Sequence, residues 1–555
     1  MDTQDPKKSN DSSEGVEGVP APEGPANLID TDYQIGQDNY SGRIGGIDID
    51  LHSKVFAISS IAILFFVIIT LALQNQVEPI FQGIFDYLTQ NLSWVFLLAT
   101  NIFVIVSIVL IFTPLAKVRL GGAKATPDFS YLGWFSMLFA AGMGIGLMFY
   151  GVAEPITHYG TSFGGTTVED GVRTDWAPLG AAEGDQQAAQ RLAMAASILH
   201  YGLHPWAMYG VVALALALFS FNKGLPLTVR SIFYPILGER VWGWPGHIID
   251  ILAVFATLFG LATSLGLGAS QASAGLSHLF GIPNTDPTKV FLIMAITAVA
   301  LGSILLGVDK GVRRLSEINL VLAALLLLFV IAVGPTLLIA TDFFKNLGAY
   351  LVNLPALSNP FGREDANYTQ GWTAFYYAWW IAWSPFVGMF IARVSRGRTV
   401  RQFLIAVLLV PSTVSALWMS AMGGTALELY VAQGVESIKD AELELQLFMM
   451  LEELPLAAIT SFIGITLVIV FFITSSDSGS LVIDTITAGG KVDAPRSQRI
   501  FWAIIEGAIA IALLLGGGLQ ALQAMAVSFG LPFTLILLVG CYAIIKGLMT
   551  EPRSQ

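Results

Sequence analysis

The sequence predicts an all-α integral membrane protein with twelve transmembrane helices. Of its 555 residues, 54% are hydrophobic and only 12% are charged, and the mean hydropathy is +0.68. These values are typical of a polytopic membrane protein rather than a soluble enzyme. Apolar segments of roughly the length needed to cross a hydrocarbon core of about 30 Å recur along the chain. They lie at about 55–73, 92–114, 131–152, 193–219, 247–276, 290–307, 318–340, 371–392, 403–425, 456–475, 500–516 and 521–545.

The segment before the first span is acidic and has no apolar period. Residues 1–50 hold eleven Asp and Glu residues against Lys7, Lys8 and Arg43. Their richness in Gly, Pro, Ser and Asn predicts a disordered tail. No cleavable signal peptide is expected, because the first apolar stretch begins near Val55. The lone cysteine, Cys541, excludes a disulfide framework.

Basic residues predict the orientation of the spans. With the N-terminus inside, the internal loops and the C-terminal end carry eighteen Lys and Arg residues and the external loops carry six. This asymmetry agrees with the positive-inside rule. We therefore expect a multi-pass protein with both termini in the cytoplasm.

The third span contains three glycines at alternate positions, Gly142, Gly144 and Gly146. Each weakens a helix by roughly 1 kcal/mol, and broken backbone survives in a membrane only where it faces a cavity or the protein interior. A close helix–helix contact is the alternative, which this spacing fits less well. We expect an unwound segment here.

The eighth span is expected to be interrupted as well, at Trp383-Ser384-Pro385, because proline removes a backbone hydrogen bond. Counted from the third span, the eighth is the sixth helix. Interruptions at corresponding places in two five-helix units indicate an inverted-repeat transporter with its site at the midplane.

The predicted domains follow from this repeat. They are a disordered acidic cytoplasmic tail (1–50), two peripheral helices (51–120), a first repeat of spans 3–7 (121–350), a second repeat of spans 8–12 (351–546) and a short cytoplasmic tail (547–555).

Residues 372–390 of the eighth span read WTAFYYAWWIAWSPFVGMF and carry no charge. Trp379 and Trp380 lie four and three positions before Trp383, so their rings can share one side of a helix. Converging aromatic faces bind a quaternary ammonium by cation–π attraction. An aromatic belt with ordinary helix packing is the alternative.

The tenth span ends in FFITSSDSGS, which places Thr474, Ser475, Ser476 and Ser478 beside Asp477. Hydroxyls beside freed carbonyls suit a small hard cation such as Na⁺. Hydroxyls bonded back to their own helix are the alternative. Asp477 is either a functional charge or an interfacial cap.

These features together resemble the betaine/choline/carnitine transporter family. The strings that carry the resemblance are AAGMGIGLMFYG (140–151), LHPWAMY (203–209), ATLFGLATSLGLG (256–268), AWWIAWSPFVGMFIARVSRGR (378–398) and FFITSSDS (471–478). The resemblance covers about residues 55–546. It implies a LeuT-like five-plus-five inverted repeat preceded by two helices, commonly a homotrimer, and uptake of trimethylammonium or related compatible solutes for osmoprotection.

The resemblance also implies roles for individual residues. The substrate would be bound by the unwound glycines and an aromatic box, and further aromatic residues would line its pathway. The substrate residues are Gly142, Gly144, Gly146, Tyr201, Trp206, Tyr209, Trp379, Trp380 and Trp383. The pathway residues are Trp372, Phe375, Tyr377 and Phe390.

One departure from the family pattern bears on the substrate. Tyr201 stands where betaine carriers have Trp, and another aromatic residue on the eighth span is Tyr377. A tyrosine keeps a weaker π face and adds a hydroxyl, which widens the candidates to ectoine and proline beside glycine betaine. Choline-type relatives place an aspartate at the position of Gly146, so its neutrality favours a zwitterion over cationic choline.

The family's usual sodium site maps onto five residues: Ala140, Met143, Phe471, Thr474 and Ser475. A proposed second site would use Thr257 and Phe386 with a hydroxyl one turn after Thr257. That last position is Leu261 here, which weakens the prediction of a second sodium.

We therefore predict a non-enzymatic secondary transporter that imports a zwitterionic solute by Na⁺ symport and alternating access. A proton-coupled or ion-independent carrier for choline or carnitine is the alternative, whereas a channel or an enzyme lacks its expected filter or dyad. His200 and His204 are expected to be hydrogen-bonded packing residues. The expected partners are the solute, Na⁺ as coupling ion, membrane lipids and copies of the chain in a homotrimer, with no other cofactor or metal and no nucleic acid.

Overall fold

The computed structural model describes residues 20–553, except Met143, Asp175, Gly307 and Val308. The described chain is almost wholly helical, as predicted. Its first helices are α1 (Val55–Ala72), α2 (Gln74–Phe112), α3 (Tyr131–Gly142), α4 (Ile145–Gly164), α5 (Gln186–Leu199), α6 (Leu203–Ala217), α7 (Tyr234–Leu237), α8 (Trp244–Phe280) and α9 (Asp286–Leu306). They are followed by α10 (Asp309–Val333), α11 (Thr336–Leu357), α12 (Ala366–Tyr368), α13 (Ala374–Val394), α14 (Val400–Leu427), α15 (Ser437–Asp440), α16 (Gln446–Glu452), α17 (Ala457–Thr487) and α18 (Arg496–Met549).

Short elements of other kinds join these helices. The 3₁₀ helices are Pro114–Lys117, Pro178–Gly180, Val229–Phe233 and Gly238–Trp242, and the π-helical turns are Leu218–Asn222, Thr369–Thr373 and Glu428–Ala432. Two small antiparallel hairpins complete the described chain: β1 (Asn39–Ile44) with β2 (Ile47–His52), and β3 (Val168–Glu169) with β4 (Val172–Arg173).

Nine helices of the described chain are long and apolar enough to cross a membrane, and the count rises to ten if α3 and α4 form one broken span. The side of α1 away from the protein shows the character of a lipid-facing surface, since Ile61, Phe65 and Ile68 are each more than 60% exposed. The protein is therefore a multi-pass α-helical membrane protein.

The interruption predicted in the third span is present. Helix α3 ends at Gly142, α4 begins at Ile145, and the two helices are bent by 65°. Gly144 between them is fully extended, with φ −159° and ψ −174°. The backbone thus leaves the helical path where the glycines are concentrated.

The interruption predicted at Trp383-Ser384-Pro385 is wrong. Helix α13 runs without a break from Ala374 to Val394 and contains Pro385 in its interior. Proline lacks the N–H that would bond to the carbonyl four residues earlier, that of Ile381. The Ser384 hydroxyl donates to this carbonyl at 2.7 Å, so a side chain replaces the missing hydrogen bond and the helix continues.

Helix α18 covers two of the predicted spans. At about 1.5 Å per residue it is far too long for one crossing. Its backbone leaves the helical conformation at Gly517 (φ 157°) and Gly518 (φ 60°), which separate the predicted segments 500–516 and 521–545. Positive φ is inexpensive only for glycine, which explains the position of the break.

The aromatic helix α13 lies in the interior of the bundle. It packs against α6, α8 and α18, and α4 packs against α5 and α14. Most residues of α13 are buried, including Phe375, Tyr376 and Tyr377. This placement brings the unwound α3–α4 segment and the tryptophans of α13 to a common centre.

Residues 39–52 form the β1–β2 hairpin, so the disorder predicted for residues 1–50 is wrong for this part; residues 1–19 lie outside the described chain. The hairpin is fixed to the end of α17 and the loop after it. Asn39 donates to the carbonyl of Ala488 at 2.8 Å, and Asp50 pairs with Lys491. Burial alone would raise the pKa of Asp50, but hydrogen bonds from Lys491, Asn39 and Ser41 hold it below its usual value. The composition of residues 1–50 could not predict these contacts, because the partner residues lie more than 400 positions later in the chain.

Candidate functional site

A cavity of about 90 Å³ opens between α3–α4, α6, α8, α13 and α17. No charged side chain is among the described residues that line it, which are Ala141, Gly144, Ile145, Gly146, Leu147, Tyr201, Tyr209, Ser264, Trp379, Trp380, Trp383 and Ser475. Seven of the nine predicted substrate residues therefore meet at one place. We call this space the aromatic cavity.

Trp380 is the centre of one wall of the aromatic cavity. Its ring centroid lies 5.0 Å from that of Tyr209 and 5.8 Å from that of Tyr201. Trp206 does not line the cavity but lies 5.8 Å behind Trp380 and 5.4 Å from Tyr209, and is completely buried. Trp206 therefore packs behind Trp380 and Tyr209 and supports both rings from outside the cavity.

Trp379 and Trp383 form the side of the cavity that faces α8. The indole N–H of Trp379 donates to Ser264 Oγ at 3.1 Å, and that of Trp383 donates to the Gly260 carbonyl at 2.9 Å. These bonds fix the orientation of both rings, which line the cavity. Ser264 was not predicted, because a single serine in an apolar helix gives no pattern.

The unwound glycines bring the backbone close to the aromatic rings. A Cβ on Gly146 would lie 3.1 Å from the Tyr201 hydroxyl oxygen and 3.4 Å from the nearest atom of Trp379. Any side chain here would fill space between backbone and rings. Gly142 is the last residue of α3.

A second cavity of about 210 Å³ lies beyond Trp383. It shares Ala141, Trp383 and Ser475 with the aromatic cavity, so the two are neighbours. Its other lining residues are Ala140, Ser316, Asn319, Leu320, Phe386, Val387, Phe390, Phe471, Thr474 and Ser478. We call it the polar cavity.

Four of the five residues predicted for sodium line the polar cavity: Ala140, Phe471, Thr474 and Ser475. The fifth, Met143, lies outside the described residues. The Thr474 hydroxyl donates to carbonyls of its own helix at Val470 (3.0 Å) and Phe471 (3.1 Å), yet its oxygen lone pairs remain able to bind a cation.

Asn319 of α10 is a polar residue of this cavity that the sequence did not indicate. Its amide nitrogen and oxygen are buried without a hydrogen-bond partner among the described residues. An unpartnered amide beside a cavity is ready to bind a polar or ionic ligand. An isolated asparagine in an apolar span gives too little pattern to predict this.

The residues of the predicted second sodium site are not brought together at either cavity. Thr257 is buried and bonds to the carbonyl of Ala253 at 2.8 Å, whereas Phe386 lines the polar cavity. Leu261 packs against Gly479, whose Cβ would lie 2.3 Å from it. An apolar contact thus occupies the position where a hydroxyl was expected.

The predicted pathway residues occupy different surroundings. Phe390 lines the polar cavity and Trp372 is half-buried, whereas Phe375 stacks on Trp379 at 5.5 Å. Tyr377 lines neither cavity and stacks instead on His204 at 5.9 Å. The π face of Tyr377, which is weaker than that of a tryptophan, therefore does not line the aromatic cavity.

The two histidines of the fourth predicted span are buried and hydrogen-bonded. His204 lies 2.9 Å from the Asn101 amide oxygen, and His200 contacts Glu154 and lies 3.0 Å from the Thr373 hydroxyl. Asp477 pairs with Arg499 at 2.8 Å. This ion pair joins the interior of α17 to the first turn of α18.

Comparison with known proteins identifies the family of this chain. The sequence profile of the betaine/carnitine/choline transporter family matches residues 54–553. A glycine betaine/proline/choline transporter of Vibrio parahaemolyticus is 64% identical over 98% of both chains. A glycine betaine transporter of the same organism is 51% identical over 94% of this chain and 97% of its own. A glycine betaine transporter of Bacillus subtilis is 43% identical over 90% of this chain and 94% of its own. The chain therefore belongs to the betaine/carnitine/choline transporter family, whose members are transporters rather than enzymes.

Proposed function

We propose that the protein imports a zwitterionic compatible solute, with glycine betaine as the first candidate, by symport with Na⁺. The observation that carries this proposal is the aromatic cavity, whose described lining has five aromatic side chains and no charge. A quaternary ammonium has no N–H to donate, and it binds well where several π faces replace its water.

The carboxylate of such a solute would bind at the unwound segment. Helix α4 begins at Ile145 on the cavity wall, and the first backbone N–H groups of a helix lack intrahelical partners and attract anions. Gly146 contributes no charge of its own. A zwitterion therefore finds complementary groups for both of its ends, whereas choline lacks the anionic end.

The names of the relatives support glycine betaine as the first candidate. The Vibrio protein of 64% identity is named for glycine betaine, proline and choline, and the Bacillus protein for glycine betaine. Tyr201 and Ser264 add hydroxyl groups to the aromatic cavity, and these are suited to proline or ectoine, which carry N–H groups. We propose glycine betaine first and these two next.

The polar cavity would bind the coupling Na⁺. Thr474 and Ser475 offer hydroxyl oxygens, and Ala140 lies in the last turn of α3, where backbone carbonyls lack intrahelical partners. Hydroxyl and carbonyl oxygens are the ligands that hard cations prefer. Ser475 lines both cavities, so an ion at this position would affect the residues around the solute. Since Leu261 and Thr257 form no second polar site, we propose one sodium site here.

The architecture proposed for this transport has twelve spans. Nine helices qualify by length and apolarity and the broken α3–α4 pair makes a tenth. The break at Gly517-Gly518 divides α18 into two, and the buried α13, whose tryptophans and tyrosines lower its hydropathy, is the twelfth. We propose two peripheral helices (51–120) and two inverted five-helix repeats (121–350 and 351–546) of the LeuT-like type, working by alternating access.

The setting proposed for the protein is the bacterial inner membrane. Both termini would be cytoplasmic and the protein would form a homotrimer, with uptake serving osmoprotection. Two acidic residues of the described N-terminal segment form ion pairs, Glu23 with Arg396 and Asp50 with Lys491. The segment therefore lies on the same side of the protein as these two basic residues. This side would thus be the cytoplasmic one, in agreement with the predicted excess of basic residues.

Equilibrium binding to the purified full chain tests the proposal. Glycine betaine, proline, ectoine, choline and carnitine are titrated by calorimetry in NaCl and in KCl of equal strength. We expect a zwitterion to bind more tightly in NaCl than in KCl. Binding of choline or carnitine that is indifferent to Na⁺ would contradict the proposal and favour a proton-coupled or ion-independent carrier.

A further inference from the structure

Three metal-ligating side chains meet in the protein interior beside the aromatic cavity. Glu154 and His158 lie on α4, and His200 follows the end of α5. All three are fully buried, and one ligand atom from each lies within 4.8 Å of the others. His158 Nε2 is 3.1 Å from Glu154 Oε1, and His200 Nδ1 contacts the same oxygen. We call these residues the Glu-His-His cluster.

The Glu154 carboxylate is buried, and no permanently charged Lys or Arg pairs with it among the described residues. Its described ion-pair partners are His158 and His200. An ionised carboxylate at such depth is costly unless it is paired or coordinates a metal. Both imidazoles contact Oε1, and Oε2 is buried without a hydrogen-bond partner among the described residues.

We propose that Glu154, His158 and His200 bind a divalent transition-metal ion of the Zn²⁺ class. Two imidazole nitrogens and one carboxylate oxygen form a recurrent ligand set for zinc sites with an open fourth position. Imidazole ligands disfavour Na⁺, Mg²⁺ and Ca²⁺, which prefer oxygen. The site is thus distinct in position and in chemistry from the polar cavity.

The surroundings of His200 fit a metal-bound imidazole. A metal on Nδ1 requires the hydrogen of the ring to be on Nε2, and Nε2 lies 3.0 Å from the Thr373 hydroxyl oxygen, which would accept it. The Tyr376 ring stacks on the imidazole at 4.5 Å and holds its orientation. Such outer partners fix the tautomer and raise metal affinity.

The cluster is linked to the solute site through adjacent residues. Tyr201, which lines the aromatic cavity, follows His200 in the chain, and its hydroxyl donates to that of Tyr376 at 3.3 Å. The half-buried Trp372 lies 5.0 Å from His158, and all three ligands of the cluster are fully buried. We expect slow metal binding, and slower solute uptake when the cluster is occupied.

Cobalt titration of the purified full chain tests the site without relying on transport. The protein in detergent is incubated with CoCl₂ and its d–d absorption is recorded, followed by addition of ZnCl₂. We expect one equivalent of Co²⁺ in a low-coordinate site, displaced by Zn²⁺, which binds more tightly in the usual affinity order. His158→Gln and His200→Gln are expected to weaken binding at least tenfold.

Two further variants complete the experiment. Thr373→Val keeps the side-chain shape and removes the hydroxyl, and we expect roughly tenfold weaker binding, as is typical when an outer partner of a metal ligand is lost. His278→Gln is the matched control, because His278 lies 3.5 Å from Glu452 in a partly exposed pair away from the cluster; its binding should equal that of the wild type.

Three results would overturn the proposal. They are the absence of a stoichiometric Co²⁺ spectrum in the wild type, unchanged binding in both glutamine variants of the cluster, or loss of binding in His278→Gln. Melting of each variant without metal shows whether it is folded. If the glutamine variants do not fold, unchanged Co²⁺ affinity in Thr373→Val would refute the site. Because no solute is present, failure here leaves the proposed transport function untouched.

Discussion

Replacement of Trp380 by leucine tests the aromatic cavity most sharply. Leucine keeps an apolar side chain in the wall but removes the π face between Tyr209 and Tyr201. A cation–π contact in a desolvated site contributes about 2 kcal/mol. At 1.36 kcal/mol per tenfold change, this loss corresponds to roughly 30-fold weaker solute binding.

Isothermal titration of glycine betaine against Trp380→Leu in NaCl measures this loss, with Trp380→Tyr as a partial restoration. Trp244→Leu is the matched control, since Trp244 is 56% exposed and lines neither cavity. The ratio of affinities in NaCl and KCl should stay that of the wild type, because the polar cavity is unchanged. Affinity within twofold of the wild type, or an equal loss in Trp244→Leu, would refute the aromatic cavity as the ammonium site.

Three further predictions concern the ion, the fold and the N-terminal hairpin. Thr474→Ala should raise the Na⁺ concentration for half-maximal uptake several-fold. The control is Thr466→Ala, which removes a hydroxyl that also bonds to its own helix but lies at an exposed position, and it should leave this concentration unchanged. Equal values for the two variants would contradict the ion site. Ser384→Ala should lower stability by roughly 1–3 kcal/mol, because it leaves the Ile381 carbonyl without its hydroxyl partner; an unchanged melting temperature would show that another group satisfies this carbonyl. Burial and the neighbouring charge of Arg230 lower the pKa of His52 to about 3, while a released hairpin regains a value of about 6.5. Docking should therefore be tightest above pH 6.5 and weaken as pH falls below it, seen as a falling protection factor (the intrinsic exchange rate at each pH divided by the measured rate) over residues 39–52. His52→Gln should flatten this fall above the pH range in which Asp50 titrates.

The sequence predicted the elements that depend on local composition. Long apolar stretches predicted the helices, and the alternate glycines predicted the break between α3 and α4. Both features follow from the backbone preferences of the residues in the segment itself. The aromatic cavity was predicted from the string around Trp380, since helical spacing puts those rings on neighbouring faces. The same reasoning failed at Pro385, where a hydroxyl one residue earlier repairs the helix.

The features that the sequence did not reveal depend on contacts across long separations. Ser264 becomes a site residue only because Trp379 reaches it from a helix 115 positions away. The Glu-His-His cluster joins α4 to a residue 46 positions later, a spacing without a recognisable metal motif. The hairpin at residues 39–52 is held by Ala488 and Lys491, which lie more than 400 positions later in the chain. Local composition cannot predict contacts over such a separation.

Solute uptake into proteoliposomes tests the central claim most directly. Purified protein is reconstituted in K⁺-loaded vesicles, and radiolabelled glycine betaine is added outside in NaCl or in KCl at constant pH and with the membrane potential clamped. The account predicts accumulation above the external concentration only with an inward Na⁺ gradient, and its collapse on addition of a Na⁺ ionophore. Equal accumulation in KCl, or accumulation that follows a proton gradient instead, would contradict it.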